Sequence, residues 1–582
     1  MLEIKKTIKE KSWIIMLFAI FIFSFILDMY ILTRYNLSYG RDGPFYDLQV
    51  LSIIQTGFPA SNDPPLVYYM LTPFVMLTEN SFLGIKIGMA LIGSLMAFPA
   101  YFLTEMFSKK MKSESRVPAL LAAFLITVNP FYFGMIGDFM QNLVGVFFLL
   151  LLMYFAVKWF ENTKNWKKYG ILTIILLVCS IFTHIYTGIL AVVLFVSLLL
   201  FNFGFKTYKT GKIHLFDLKI LGLLGVLIIG GLAVLFVIYP VMFSKFTTVL
   251  SFLNNSSTSG SDLGRGGTGN PLIFFTLPFL LGIFAILTIL YRGLKSKNNI
   301  QVSVISKKTL LSWLYIVMTV VLVILSILPS IDSQYRGRFI MLAFVPIALL
   351  VPLGLKYIET WLSKKNASKG LKLGLIALIA IIFAMSSLYG ATEEFSSMGP
   401  SISTEQYNSL LELKNSYLDG EIDSDGIIVV SDYHTGYWAE YVLGMHVETG
   451  TADEVAQKYS DKTIYTLTLT ESQQSGLKGG VEYSWNPLLP YSFPFGGISI
   501  QDSSNGHPSS MSSPPDIQKN NMTAPPSRSG NNTQFAMSPP GQISGNETQD
   551  MGSINNQGSD QQTYSDGTLI FGANGLKIYK IS

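Results

Sequence analysis

Long apolar runs alternating with short charged loops constrain this chain more than any other feature. About eleven stretches are long and apolar enough to cross a bilayer. They lie near 13–33, 81–107, 117–134, 139–159, 169–183, 185–203, 218–240, 271–291, 310–328, 338–356 and 371–390. Of 582 residues, 50% are hydrophobic and only 13% charged, too little charge to cover a soluble fold of that length. The single cysteine, Cys179, excludes a disulfide framework and a zinc–thiolate site. The first run lacks a small-residue cleavage site and outlasts a signal-peptide core, so it reads as a retained helix.

Loop charges give an independent test of this layout, because Lys and Arg gather on the cytoplasmic side. One set of loops carries Lys5, Lys6, Lys9 and Lys11, then Lys109, Lys110, Lys112 and Arg116, then Lys164, Lys167 and Lys168. The same side holds Lys206, Lys209 and Lys212, the group from Arg292 to Lys308, and Lys364, Lys365 and Lys369. The opposite loops hold only Arg34, Arg41, Lys245, Arg265, Arg336 and Arg338. The expectation is a multi-pass protein of the plasma membrane with a cytoplasmic N-terminus and everything after about residue 390 outside.

The chain then divides into a membrane domain at 1–390, with a first outer loop at 34–80, and an extracytoplasmic α/β domain at 391–495. "SISTEQYNSLLELKNSYL" and "GYWAEYVLG" read as helices, "GIIVVSD" and "KTIYTLTLT" as strands. Residues 496–562 are Ser/Asn/Pro/Gly-rich with almost no aliphatic periodicity, and read as disordered. Residues 563–582 read as a β-hairpin rejoining the domain. Sequons at Asn254, Asn255, Asn521, Asn531 and Asn546 all fall on the outer side.

Polar residues cluster at one level, the outer interface. Asp42 and Asp47 leave the first helix, Asp63 precedes a Pro-Pro, and Lys86 lies one to two turns into the second span. Asp138 starts a later span, His184 sits between two more, and Arg336 and Arg338 open another. "GPFYDLQVLSIIQTG" has helical apolar spacing between Pro44 and Gly57, so it reads as a helix lying in the interface. "PPLVYYMLTPFVML" is too short to span and reads as a second interfacial helix. Each residue also has an ordinary explanation: Asp42 stands where a helix cap belongs, and Tyr68 and Tyr69 suit an aromatic belt.

Transfer of a sugar from a lipid-linked phosphate would use an acid and several cations at this height. Arg binds a phosphate bidentately, and the departing phosphate needs cations rather than a general acid. One carboxylate must orient and deprotonate the incoming hydroxyl or amide. Asp42 with Arg338, Arg336 and Lys86 fits that requirement, with Asp47, Asp63, Tyr68, Asp138 and His184 lining the pocket.

"RDGPFYDLQVLSIIQTGFP" followed by "NDPPLVYYMLTPFVMLTENSFLGIKIGMAL" resembles the GT-C superfamily of polyprenyl-phosphate-sugar-dependent glycosyltransferases. The likeness is greatest to the branch of protein O-mannosyltransferases and lipid A aminoarabinose transferases. "NPFYFGMIGDFMQNL" is similar to that branch's second outer loop, and "YRGRFIMLAFVPIALL" to its late helix whose Arg faces the donor phosphate. The sequence departs from the pattern in two places: Gly43 follows Asp42 where the mannosyltransferases carry a second acid, and Asp63-Pro64 replaces a Lys-Pro of the aminoarabinose branch.

The resemblance implies a GT-C-like polytopic helical fold with a small C-terminal α/β domain. It implies an inverting transferase using a polyprenyl-phosphate-linked (dolichyl-phosphate-type) sugar as co-substrate. The acceptor would be a protein, lipid or glycan on the outer face. Kinship with oligosaccharyltransferases adds a divalent metal, Mg or Mn, held by Asp42 and Asp138.

Two other readings are compatible with the sequence: a membrane transporter or flippase, and a GT-C-shaped scaffold without activity. Transporters usually carry charges at the midplane and an internal repeat, and neither feature is present. "DGEIDSDG" at 419–426 resembles a calcium loop, but its Gly comes too late and no distal Glu follows. No basic stripe points to nucleic acid.

Overall fold

A computed structural model describes residues 2–61, 63–107, 115–161, 164–212, 273–295, 305–328, 331, 333–418, 422–423, 425–469 and 567–581, with isolated positions 222, 225 and 230. Apart from those three positions in the apolar run at 218–240, that run, the five sequons and the 496–562 segment therefore lie outside the described residues.

The chain enters through α1 (Leu2–Leu32) and lays down α2 (Gly43–Thr56) and α3 (Leu66–Thr78). Pro44 stands in the first turn of α2, and Gly57 closes it in the left-handed conformation at φ 84°. With 13 residues, α3 is too short to span, and it continues through Pro73. There follow α4 (Ser81–Leu95), α5 (Ala97–Glu105), α6 (Val117–Thr127), α7 (Pro130–Gly137), α8 (Met140–Glu161), α9 (Trp166–Thr183) and α10 (Ile185–Thr210). The membrane part ends with α11 (Ile273–Lys295), α12 (Lys307–Ile327), α13 (Ser333–Leu342), α14 (Phe344–Lys364) and α15 (Lys369–Ser397).

Nine helical stretches among the described residues are long and apolar enough to cross a membrane, and ten if α6 and α7, bent by 41°, form one span. The expected total of about eleven is not reached within these residues, since the run at 218–240 falls almost wholly outside them. Burial separates centre from rim. The span Gly337–Lys364 is 94% buried inside the protein, whereas Ser12–Leu32 and Lys369–Ser396 are each 22% buried. Helix α13 is thereby anchored at the N-terminal end of the central span.

Beyond α15 come α16 (Thr404–Leu418), β1 (Ile427–Val430), α17 (Tyr433–Leu443), β2 (His446–Thr449), α18 (Ala452–Lys458), β3 (Ile464–Leu469), β4 (Thr568–Ala573) and β5 (Leu576–Ile581). The five strands form one sheet in the order β2-β1-β3-β5-β4. β1 pairs in parallel with β2 and β3, while β5 runs antiparallel to β3 and β4. Asn574 and Gly575, both at positive φ (49° and 79°), make the two-residue turn that joins β4 to β5. Sequence periodicity does not reveal β2 and α18, because each is a single short segment with little apolar patterning.

The small domain is bolted to the membrane part at the loop after α1 and at the start of α4. Leu37 and Phe82 are buried in its hydrophobic core with Trp438, Val442 and Leu443. The Phe82 ring lies 5.1 Å from Tyr441 and 6.1 Å from Trp438, and burying such a ring contributes about 1.5–3 kcal/mol. Ser81 Oγ and Tyr441 OH are 3.0 Å apart. The Gly40 N–H donates to Gly399 O at 3.0 Å, and Gly40 forms a lone parallel bridge with Pro400.

Candidate active site

The site is built on the turn from Tyr39 to Asp42. Gly40 takes a left-handed φ of +69°, and a Cβ there would lie 2.6 Å from Asp138 Oδ1. That close approach lets the Asp138 carboxylate reach the turn. Its Oδ1 accepts from the backbone N–H of Arg41 at 2.8 Å and of Asp42 at 3.0 Å. Asp138 directly follows α7, so the bent α6–α7 pair carries it into place.

Asp42 occupies the N-cap position of α2, but its side chain makes no capping hydrogen bond. The ordinary explanation for this residue therefore fails. Its carboxyl is pushed up to about 7, first by burial and then by Asp138, with Arg338 opposing and Asp63 adding to the rise. A buried acid among other acids holds its proton more tightly, and a cation beside it loosens that hold. Asp63 thus belongs to the same electrostatic neighbourhood.

Arg338 comes from α13, with its guanidinium carbon 5.9 Å from the Phe139 ring and 5.6 Å from the Tyr186 ring. Aromatic faces hold a guanidinium plane without neutralising it. His184 joins α9 to α10 and stands behind Arg338; burial, then Arg338, push its imidazole toward the neutral form. Its Nδ1 has no hydrogen-bond partner among the described residues. Arg336 lies on the same helix as Arg338, with its side chain outside the described residues.

Aromatic rings wall the other side. Tyr68 is fully buried, and its OH accepts from Gln141 Nε2 at 2.8 Å. Gln141 also donates to Pro64 O, and its backbone N–H donates to Tyr46 OH at 3.2 Å. Gln141 therefore ties α8 to both interfacial helices. The Tyr46 and Tyr68 rings are 5.9 Å apart.

Two residues expected at this site stand elsewhere. Lys86 donates to Tyr35 O at 2.7 Å and lies over the Tyr39 ring at 5.4 Å. Asp47, fully buried, accepts from Ser38 Oγ, with Lys86 as its neighbouring cation. Burial pushes its carboxyl up to about 7 against the Ser38 and Ser81 hydrogen bonds. Asp47 and Lys86 form a separate polar knot that supports the loop from beneath. The reason is register: Asp47 is five residues beyond Asp42, on a helix whose successive faces look in different directions.

Sequence reading missed the contribution of the small domain. Helix α17 packs on α2, and Asp432 caps it by accepting from Thr435 N–H at 2.9 Å. Its first turn brings His434 Nδ1 to 3.8 Å from Asp42 Oδ1. The Tyr437 ring lies 5.0 Å from Phe45, and Tyr433 is half exposed beside it. The one available signal was the spacing of Tyr433 and Tyr437, an aromatic pair one helical turn apart.

The donor set does not fit a divalent metal. Among the described residues no group of three or more His, Cys, Asp or Glu side chains is gathered closely enough to hold one. The Oδ1 of Asp138, expected as a ligand, is committed to two backbone N–H groups.

Residues 62–229 match the family described as dolichyl-phosphate-mannose-protein mannosyltransferase. The match includes Asp63, Tyr68, Asp138 and His184, whereas Asp42 and Arg338 lie outside it. No curated protein matches the chain significantly. Among solved structures, ArnT from Cupriavidus metallidurans in the apo state is 12% identical with a TM-score of 0.41, over 80% of this chain and 94% of that one. The same protein bound to undecaprenyl phosphate gives 12% and 0.41, over 79% and 94%. Over residues 62–229, then, this multi-pass, helix-built chain is similar to the family described as dolichyl-phosphate-mannose-protein mannosyltransferase.

Proposed function

We propose that the protein transfers a sugar from a polyprenyl-phosphate donor to an acceptor hydroxyl or amide at the outer face of the plasma membrane, with inversion. The observation that carries this reading is Asp42: an uncapped, half-buried carboxyl held in place by Asp138 and sharing an electrostatic neighbourhood with Arg338. The matched family's description supplies the donor class. The distribution of Lys and Arg among the loops supports an outward-facing site.

In this reading Asp42 orients and deprotonates the acceptor. The acceptor oxygen attacks the anomeric carbon, and the phosphate leaves toward Arg338, with Arg336 two residues earlier in the same helix as a second cation. Asp138 sets the position of Asp42 through the backbone, and Asp63 and Tyr68 line the entry. Neutral His184 backs Arg338 without adding charge. Lys86 and Asp47 are assigned to support of the loop rather than to the donor.

The test uses full-length protein in proteoliposomes with a panel of labelled polyprenyl-phosphate sugars, following release of polyprenyl phosphate and the anomeric configuration of the product. Asp42→Asn should lower turnover by about 10²–10⁴-fold. Full turnover by that variant would sink the base assignment. Movement of the lipid-linked sugar across the bilayer without release of lipid phosphate would favour the transporter reading.

A further inference from the structure

We propose that His434, carried by the small domain, is the proton-handling partner of Asp42: a positioning residue that receives, through Asp42, the proton taken from the acceptor. The inference rests on the reading of Asp42 as the base.

Geometry carries it. His434 sits in the first turn of α17, fixed by Asp432, which accepts from both the N–H and the Oγ1 of Thr435. Its Nδ1 is buried, has no hydrogen-bond partner among the described residues, and lies 3.8 Å from Asp42 Oδ1. Such pairs are often long without substrate and tighten when it binds. The Arg41 main chain hydrogen-bonds the ring. With Nδ1 unpartnered, a neutral ring protonated on Nε2 would present the Nδ1 lone pair on the side of Asp42.

The groups facing the ring are Asp42 and Arg41 from the first outer loop, Asp138 from the second, and Asp432 and Tyr433 from its own element. Burial, then Arg41, lower the imidazole's affinity for a proton, while Asp432 and Asp138 oppose them. A neutral imidazole with a free lone pair can accept the proton that Asp42 takes up.

The step balances as follows. The acceptor O–H bond breaks and its proton passes to Asp42, while the acceptor oxygen bonds to the anomeric carbon. The bond from that carbon to the phosphate oxygen breaks, and its electron pair leaves with the polyprenyl phosphate. The Asp42 proton moves to His434 Nδ1 and from the imidazolium to water. Asp42 is thereby returned to its carboxylate form for the next turnover.

The first experiment needs no substrate. Full-length protein labelled with ¹⁵N-histidine in nanodiscs is titrated by NMR, with the His434 signals identified by their loss in His434→Gln. While the ring is neutral, the His434 Nδ1 resonance should lie upfield of a free acceptor nitrogen because the protonated Asp42 carboxyl donates to it, and Asp42→Ala should return it to the free value. An Nδ1 resonance that Asp42→Ala leaves unmoved would overturn the proposal.

The second arm measures polyprenyl phosphate release. His434→Ala should lower turnover at least about tenfold with unchanged donor KM, and added imidazole should restore most of it. A loss that imidazole does not restore, with an unaltered melting temperature, would assign the ring to packing alone. Full turnover by Asp42→Asn would instead defeat the base reading, so the two failures are distinct.

Discussion

Replacing Gly40 by Ala should cripple turnover and lower the melting temperature by several degrees, with the helices still formed. At φ +69° a side chain is strained, at a cost of about 1 kcal/mol or more. The new methyl would lie 2.6 Å from Asp138 Oδ1 and 2.9 Å from its Cβ and Cγ, whereas ordinary contact begins at 3.4 Å. The carboxylate must therefore retreat by nearly an ångström. Its hydrogen bonds to the Arg41 and Asp42 N–H groups, now 2.8 and 3.0 Å, would then exceed bonding distance.

Each bond to a charged group is worth about 1.5–3 kcal/mol. Strain and two lost bonds together make about 4 kcal/mol at the low end, equivalent to about 10³-fold in rate at 1.4 kcal/mol per decade. Relaxation of the exposed turn absorbs part of this, so the expected loss is about 10²–10³-fold. The assay is polyprenyl phosphate release in proteoliposomes, with thermal melting as the control for folding.

A double-mutant cycle sharpens the test. With Asp138 shortened to Ala the collision disappears, and Gly40→Ala should then add only its strain, roughly fivefold. Wild-type turnover by Gly40→Ala, or strict additivity in the cycle, would refute the claim that Asp138 holds Asp42 through the backbone.

Two further expectations concern charge. Asp42 has its proton affinity raised from 3.8 to about 7 in the folded chain, so between those values the folded form keeps a proton that the unfolded form has lost. Its stabilising contribution is present at low pH and lost as pH rises through this window. Asp42→Asn should therefore gain melting temperature over the wild type progressively up to about pH 7, whereas wild-type turnover should fall as pH drops through the same value. Arg338→Lys should raise the donor KM at least about tenfold, because an ammonium loses both the bidentate fork and the stacking on Phe139 and Tyr186. Arg338→Gln should in addition move the acid limb of the pH profile upward, since Arg338 lowers the Asp42 proton affinity.

The spans and the interfacial helices were legible because their signals are local. An apolar run between charged loops, Pro44 at the first turn of α2 and Gly57 at its end each state their role within a few residues. The Asn574-Gly575 turn is of the same kind. Site residues were legible only as a height in the membrane, since every outer turn contributes something polar. Lys86 satisfied that criterion as well as Arg338 did, yet one is spent on Tyr35 O and the other stands over Phe139 and Tyr186.

By itself, then, the sequence determined a many-spanned membrane chain and the uneven division of charge among its loops, and it gathered the candidate site residues at one expected level. Hydrophobic runs and loop charge act residue by residue and need no partner to be read. Only the tertiary structure decided that Asp42 is free of its helix cap, that Asp138 serves it through two backbone N–H groups, that Asp47 and Lys86 pair elsewhere, and that His434 arrives from the far end of the chain. Those meetings join positions dozens to hundreds of residues apart. They follow from how helices bend and how a small domain docks on Phe82, which no local pattern encodes.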